Sequence, residues 1–315
     1  MSGANRRAIF RLQRGLQPLV GLLIIYLVFT ALSPTFRTFN TFKTILTQAV
    51  VLGTLSTGAT IVLISGGLDL SIGSLFGLIA VITGLMLKAN IPVGINIFLS
   101  LLFGALAGAF NGVIIVSTGI PAFIGTLGMM KLYRGFAEIL GKNRDLSQFP
   151  LLFQSIGQGY LMPISIMVIT FLVAHIILSY TKLGFNCYAI GGSNEMSRRA
   201  GIPVKQYYII YYMIGGISAA ISAIILASRL NFTNSSWGLG LELNALGAVI
   251  IGGTSLTGGV GNIARTVIGV FIITILNTGL SHLGVSSSWQ RISIGTVIIF
   301  AVWLDIMQRR REENA

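Results

Sequence analysis

Apolar runs of bilayer-crossing length recur along almost the whole chain, so its fold has to be embedded in a membrane. About 20 helical residues cross the hydrocarbon core of a bilayer. Several of the runs are short or interrupted by glycine, and the sequence therefore predicts eight to ten spanning helices, with ten favoured. The ten runs are 18–33, 44–65, 72–88, 93–118, 121–140, 161–180, 208–229, 241–252, 264–284 and 288–307.

Charge and glycine content also indicate an all-α polytopic membrane protein. Only 9% of the 315 residues are charged, against roughly 25% in soluble domains. Many of the 39 glycines lie inside the apolar runs, as expected where membrane helices approach each other closely. The polar intervals at 141–160, 181–207 and 230–240 are too short for a soluble domain. Residues 1–315 are therefore predicted to form one transmembrane domain.

The basic residues predict the orientation of the chain. The densest arginine clusters, near both termini and within 181–207, fall on one side of a ten-span arrangement, and basic segments stay in the cytoplasm. We therefore expect a cytoplasmic N-terminus at 1–17, a cytoplasmic loop at 181–207 and a cytoplasmic tail at 308–315. The net charge of +13 is spread over these short segments rather than over one basic face, which argues against nucleic acid as a partner.

The inventory of reactive side chains argues against an enzyme. A phosphate-binding loop needs Ser or Thr after its Gly-Lys pair, and here the only such pair is followed by Asn143. His175 and His282 are isolated, and neither belongs to a zinc-protease or serine-hydrolase motif. Cys187 is the single cysteine, which excludes an internal disulfide and a multi-cysteine metal site. We expect no catalytic residue, no metal site and no cofactor in this chain.

The stretch ISGGLDLSIGS, residues 64–74, interrupts one of the most apolar regions. A carboxylate at the centre of a spanning helix costs about 2.5–3.5 kcal/mol, so such groups face a cavity or a partner. Two hypotheses account for Asp69. It contacts a substrate through water-filled space, or Asp69 or Ser71 caps the free N–H groups where a helix starts at Ile72.

A second glycine-rich interruption, GAVIIGGTSLTGGVGNIA, occupies residues 247–264. Its layout matches the first: an apolar run, a Gly-Gly pair, short polar residues such as Thr254 and Ser255, further glycine and another apolar run. Two interrupted segments in corresponding places indicate an internal pseudo-repeat and a pathway between the halves.

A glycine ridge runs through FGALAGAFNGV. Gly104, Gly108 and Gly112 recur every four residues, a spacing that lets another helix approach closely, within or between subunits. Asn111 lies beside the ridge. It is interpreted either as an interhelical hydrogen-bond donor or as a substrate ligand.

The interval 181–207 is the longest predicted cytoplasmic loop. Ser193 or Asn194 is suited to N-cap a short helix that runs through Arg199 and ends before Gly201. Such a capped helix is suited to docking on another protein, and the alternative is an ordinary basic loop.

Three ordered motifs resemble the membrane permease subunit of the ribose, galactose and arabinose class of bacterial ABC importers. Gly67–Ser74 follow the family pattern Gly-Ile/Leu-Asp-Leu-Ser-Val/Ile-Gly-Ser. Tyr188–Ile202 follow its cytoplasmic loop motif, although Met196, Ser197 and Ala200 depart from it. Residues 242–261 follow the late Glu-Leu to Gly-Gly-x-Gly segment, so the resemblance covers nearly the whole chain.

The resemblance implies a multi-pass permease of the bacterial inner membrane that works with three partners. These are a periplasmic sugar-binding protein, a separate cytoplasmic ABC ATPase that binds the ATP, and a second permease chain, identical or paralogous. The implied ATPase-coupling residues are Gly191, Gly192, Ser193, Asn194, Arg198, Arg199, Gly201 and Ile202.

A monosaccharide or related polyol is the expected substrate, moved inward by alternating access at the dimer centre. The candidate pathway residues are Asp69, Ser71, Asn111, Glu242, Thr254 and Ser255. The alternative is a stand-alone secondary transporter or channel for a small polar solute, because interrupted helices are typical of those proteins too.

Overall fold

The computed structural model describes residues 3–313, with side chains described for 18–303, 306 and 307. Helices dominate this part of the chain. They are α1 (Gly3–Leu32), α2 (Phe39–Ile64), α3 (Ile72–Lys88), α4 (Val93–Thr118), α5 (Ala122–Gly141), α6 (Leu151–Gly157), α7 (Leu161–Tyr180), α8 (Lys182–Gly192), α9 (Asn194–Arg199), α10 (Val204–Leu230), α11 (Leu241–Ile251), α12 (Ile263–His282) and α13 (Ser287–Glu313). A 3-10 turn at Pro34–Arg37 and the paired two-residue strands β1 (Leu146–Ser147) and β2 (Phe232–Thr233) complete the elements described.

The predicted all-α polytopic membrane fold is confirmed. Each of the ten predicted runs coincides with a helix, namely α1–α5, α7 and α10–α13. Five of them, α2, α4, α7, α10 and α12, are long and apolar enough to cross a membrane by length and composition. The apolar helices Pro18–Leu32, α3 and α11 are shorter. Three further described helices, α6, α8 and α9, lie in the intervals predicted to be polar, and only α9 was predicted as a helix.

Helix α2 forms the centre of the bundle. Every residue from Ala49 to Ile64 is buried, and α10, α12 and α7 pack around it. The buried threonines do not leave unpaired hydroxyls in this core. Thr54, Thr57 and Thr60 each donate to the carbonyl oxygen four residues earlier, at 2.7–2.9 Å, so their polar atoms are satisfied within the helix.

The glycine ridge of α4 packs against α10 of the same chain. A Cβ added to Gly104 would lie 2.5 Å from Gly216 O, and one on Gly112 would lie 2.7 Å from Ile209 Cα. A Cβ on Gly108 would overlap Tyr212 O. The two backbones are therefore in direct contact, as in other small-residue helix pairs of membranes.

Alanine at Gly108 is expected to destabilise the chain by about 1–3 kcal/mol, the usual cost of overpacking a close-packed interior. The neighbouring atoms are backbone, which cannot rotate away. Gly94→Ala is the matched control on the same helix, because a Cβ there meets nothing within 4 Å. Thermal unfolding of the two variants in detergent measures the difference, and equal midpoints would contradict the close contact between α4 and α10.

Candidate functional site

The first interruption joins α2 to α3 through a buried hydrogen-bond network. Asp69 is only 2% exposed. Its Oδ1 accepts from the Ser71 backbone N–H at 2.9 Å and from the Ser71 hydroxyl at 2.6 Å. Ser71 Oγ accepts from Asn111 Nδ2 at 2.8 Å, and Asn111 Oδ1 accepts from the Tyr133 hydroxyl at 2.8 Å. These hydrogen bonds, here named the Asp69 network, therefore link the start of α3 to α4 and α5.

The hydrogen bonds of Asp69 bear on its two hypotheses, contact with a substrate and capping of the helix that starts at Ile72. Its carboxylate accepts from the N–H of Ser71, one residue before α3, and no side chain caps the first turn of α3 in the described residues. Asp69 Oδ2 has no hydrogen-bond partner among the described residues, and it lies near Gly215 of α10. Asn111 donates to Ser71, which agrees with the first of its two interpretations, an interhelical hydrogen-bond donor.

The second interruption is a tight turn between α11 and α12. Thr254 and Ser255 are buried. The Ser255 backbone N–H donates to Val260 O at 2.9 Å, and Gly258 N–H donates to Ser255 O at 3.2 Å. Gly258 and Gly259 have φ of +83° and +72°, a left-handed conformation that favours glycine. Gly258 and Gly259 are therefore required by the backbone path.

The two interruptions touch each other directly. Gly259 N–H donates to Ile64 O, the last carbonyl of α2, at 2.8 Å. A Cβ added to Gly258 would lie 2.8 Å from Gly66 Cα. Backbone therefore meets backbone where the two broken segments cross.

The C-terminal end of α8 lies against the same crossing. A Cβ on Gly191 would overlap both Ile64 O and Gly259 N. Tyr188, one turn earlier, donates from its hydroxyl to Gly261 O at 3.0 Å. Burial raises the pKa of the Tyr188 hydroxyl, so the group stays protonated as a donor. We call this contact of 64–66, 191–192 and 258–261 the glycine junction.

Helix α9 follows the glycine junction and is exposed. Ser193 is its N-cap and accepts from Met196 N–H at 3.2 Å, and the helix ends at Arg199 before Gly201, whose φ is +79°. The predicted short capped helix is confirmed. Arg198 and Arg199 are exposed, and Arg199 pairs with Glu195 within the helix.

The segment 233–240 was predicted as part of a polar interval between spans, but it packs along α3. A Cβ on Gly84 would lie 2.5 Å from Thr233 Oγ1, and one on Gly73 would lie 2.6 Å from Gly238 O. The segment thus runs antiparallel to α3 beside its glycines. Irregular backbone at membrane depth is tolerated only where protein or water satisfies it.

Arg134 donates hydrogen bonds to the backbone of this segment. Its guanidinium donates to Ser235 O at 2.6 Å and to Trp237 O at 2.8 Å. The sequence signal for this packing of 233–240 was therefore an arginine, Arg134, inside an apolar run. Tyr133, which closes the Asp69 network, was also missed, and nothing in its local pattern distinguishes it from a core aromatic residue.

Glu242 lies at the start of α11, across Gly73 of α3. A Cβ on Gly73 would overlap the Glu242 carboxylate. Glu242 Oε1 accepts from Gly240 N–H at 3.3 Å, and Oε2 is buried without a partner among the described residues. The structure thus groups Asp69, Ser71 and Asn111, places Thr254 and Ser255 at the second interruption, and puts Glu242 beside 233–240.

Interrupted helices around buried polar groups, tied to an exposed capped helix, are typical of a membrane transport subunit. The chain belongs to the family described as branched-chain amino acid transport system / permease component, which matches residues 41–302.

The curated relatives are import permeases. The ribose import permease protein RbsC of Escherichia coli (strain K12) is 38% identical over 295 residues, covering 91% of this chain and 92% of the relative. RbsC of Bacillus subtilis (strain 168) is 35% identical, with 92% of each chain covered. The galactose/methyl galactoside import permease protein MglC of Haemophilus influenzae is 32% identical, with 93% and 94% covered. No solved structure matches this chain significantly.

Proposed function

We propose that this chain is the transmembrane permease subunit of an ATP-driven ABC importer for a monosaccharide or related polyol. It takes the solute from a periplasmic binding protein and moves it inward by alternating access, in a dimer with an identical or paralogous chain. Relatives named for ribose and galactose match over more than 90% of their length. ATP is bound by a separate cytoplasmic ATPase, and both termini lie in the cytoplasm.

The glycine junction is the observation that carries the mechanism. Helix α9 is exposed and capped, only Ser193 separates it from α8, and α8 touches both interruptions through backbone atoms. A displacement of α9 by the ATPase is therefore transmitted to both interruptions together. ATP drives transport only if its binding favours one permease state over the other, and this contact offers a direct route for that bias.

Charge reversal on α9 tests the docking surface. The double change R198E and R199E is expected to weaken association with the ATPase by about tenfold or more, since like charges across an interface cost more than about 1.4 kcal/mol. The matched control is K142E and R144E, which changes the net charge equally at residues that are also exposed.

Co-purification of each variant with the ATPase, quantified against the wild type, is the measurement. Association that survives R198E and R199E unchanged would overturn the assignment of α9 as the docking helix. Equal loss in both double variants would assign the effect to net charge instead.

A further inference from the structure

Helix α5 carries a polar face that points away from the rest of the chain. Gly128, Lys131, Gly135 and Glu138 are spaced by three, four and three residues, which places them on one side of a helix. Lys131 and Glu138 are exposed, and a Cβ on either glycine meets nothing within 4 Å. Lys131 makes no hydrogen bond or ion pair with any described side chain. The buried side of α5 packs on α3 instead.

This polar face of α5 is unsuited to contact with lipid. Lys131 lies nine residues from Ala122 and ten from Gly141, the ends of α5, so it sits about 14–15 Å from each end at 1.5 Å per residue. In the ten-span arrangement predicted from the sequence, Lys131 therefore lies at half the depth of a hydrocarbon core of about 30 Å. An ionisable side chain at this depth faces a cavity, water or a partner.

The other charge in the middle of α5, the half-buried Arg134, has a different role. Arg134 is turned toward 233–240 and donates to two backbone carbonyls, so its charge is explained by structure. Lys131 has no such task. The exposed apolar residues that flank the polar face, such as Leu132 and Phe136, are suited to lipid or to contact with a second chain.

We propose that this face of α5 lines the water-filled solute pathway, and that Lys131 and Glu138 bind hydroxyl groups of the passing solute. The proposal rests on the proposed function, because the pathway lies where two permease chains meet. A dry contact would require each Lys131 to pair with an acidic residue of the other chain such as Glu138, whereas a water-filled pathway solvates both charges without such a pair. An ammonium group offers three donors and a carboxylate only acceptors, a pair suited to a neutral polyhydroxyl solute.

Single cysteines test the proposal in a Cys187→Ala background, since Cys187 is the only cysteine in the chain. Gly128→Cys and Gly135→Cys place a thiol on the polar face. Leu172→Cys is the matched control, because Leu172 is exposed near the middle of α7 among apolar neighbours. A charged, membrane-impermeant methanethiosulfonate reagent reacts only with thiols that water reaches.

We expect both α5 cysteines to be labelled about tenfold faster or more than the control cysteine. A tenfold lower rate corresponds to a cost of about 1.4 kcal/mol for exposing the control thiol to water. We also expect labelling of the α5 cysteines to slow when ribose or galactose saturates the pathway. Labelling as slow as at Leu172→Cys would overturn the proposal. Fast labelling that ribose, galactose and a panel of other monosaccharides and polyols all fail to slow would overturn the solute contact. The labelling needs no ATP, so its outcome is separate from that of the proposed function.

Lys131→Met provides a second readout. We expect it to reduce uptake while association with the ATPase is retained, and Lys131→Arg, which keeps the charge, to restore part of the uptake. Unchanged uptake in Lys131→Met would contradict a role for the ammonium group.

Discussion

Gly191→Ala is expected to reduce ATP-driven uptake by about tenfold or more, because a methyl group there adds a clash of about 1–3 kcal/mol at the glycine junction. The added Cβ would overlap Ile64 O on one side and Gly259 N on the other. Helix α8 would have to move away from both interruptions, so a motion of α9 would no longer reach them.

The adjacent residue is the control for this change. Gly192→Ala adds the same methyl group to the same helix, but nothing lies within 4 Å of it. Both changes raise helix propensity by about 1 kcal/mol, so a difference between them reports the contact alone. Uptake and the ATPase activity of the assembled transporter are measured together.

We expect Gly191→Ala to keep ATP hydrolysis while it loses uptake, since the docking helix itself is untouched. Equal uptake in Gly191→Ala and Gly192→Ala would show that the junction does not carry the coupling motion.

Asp69→Ala is expected to destabilise the chain strongly, because it removes the acceptor of two buried donors on Ser71. A buried donor left without a partner costs about 1–3 kcal/mol. The effect extends further, since Ser71 and Asn111 hold Tyr133 of α5 in the same network.

Asp69→Asn separates the two hypotheses for this residue. Its carbonyl oxygen can accept the same two hydrogen bonds, so a structural role predicts that folding and most uptake are retained. An essential negative charge predicts that folding is retained and uptake is lost. Thermal unfolding and uptake of Asp69→Ala, Asp69→Asn and the wild type decide between them, and full stability of Asp69→Ala would contradict the structural role.

Much of the architecture follows from hydropathy alone. The ten runs coincide with helices because about 20 apolar residues in a row have few other stable arrangements in lipid. The cap at Ser193 was also predictable, because its hydroxyl acts on the N–H of Met196, three residues away. A hydrogen bond between residues this close in sequence can be predicted without knowledge of the fold.

Contacts between distant segments were not predictable. Polar composition made 230–240 resemble an ordinary loop, although 233–240 packs along α3 with its carbonyls bonded to Arg134. Likewise, both interruptions were recognised from their glycines, but the meeting of Gly259 with Ile64 and Gly191 depends on how α2, α8 and α11 are arranged. A tertiary contact between segments so far apart in the sequence leaves no local periodicity.

Reconstituted transport tests the central claim most directly. The purified chain is placed in liposomes with and without its ATPase, with ATP inside and the binding protein outside, and uptake of labelled ribose and galactose is followed. An ABC permease predicts uptake only when ATP, the ATPase and the binding protein are all present. Uptake by the chain alone, driven by an ion gradient, would contradict the account and establish a secondary transporter.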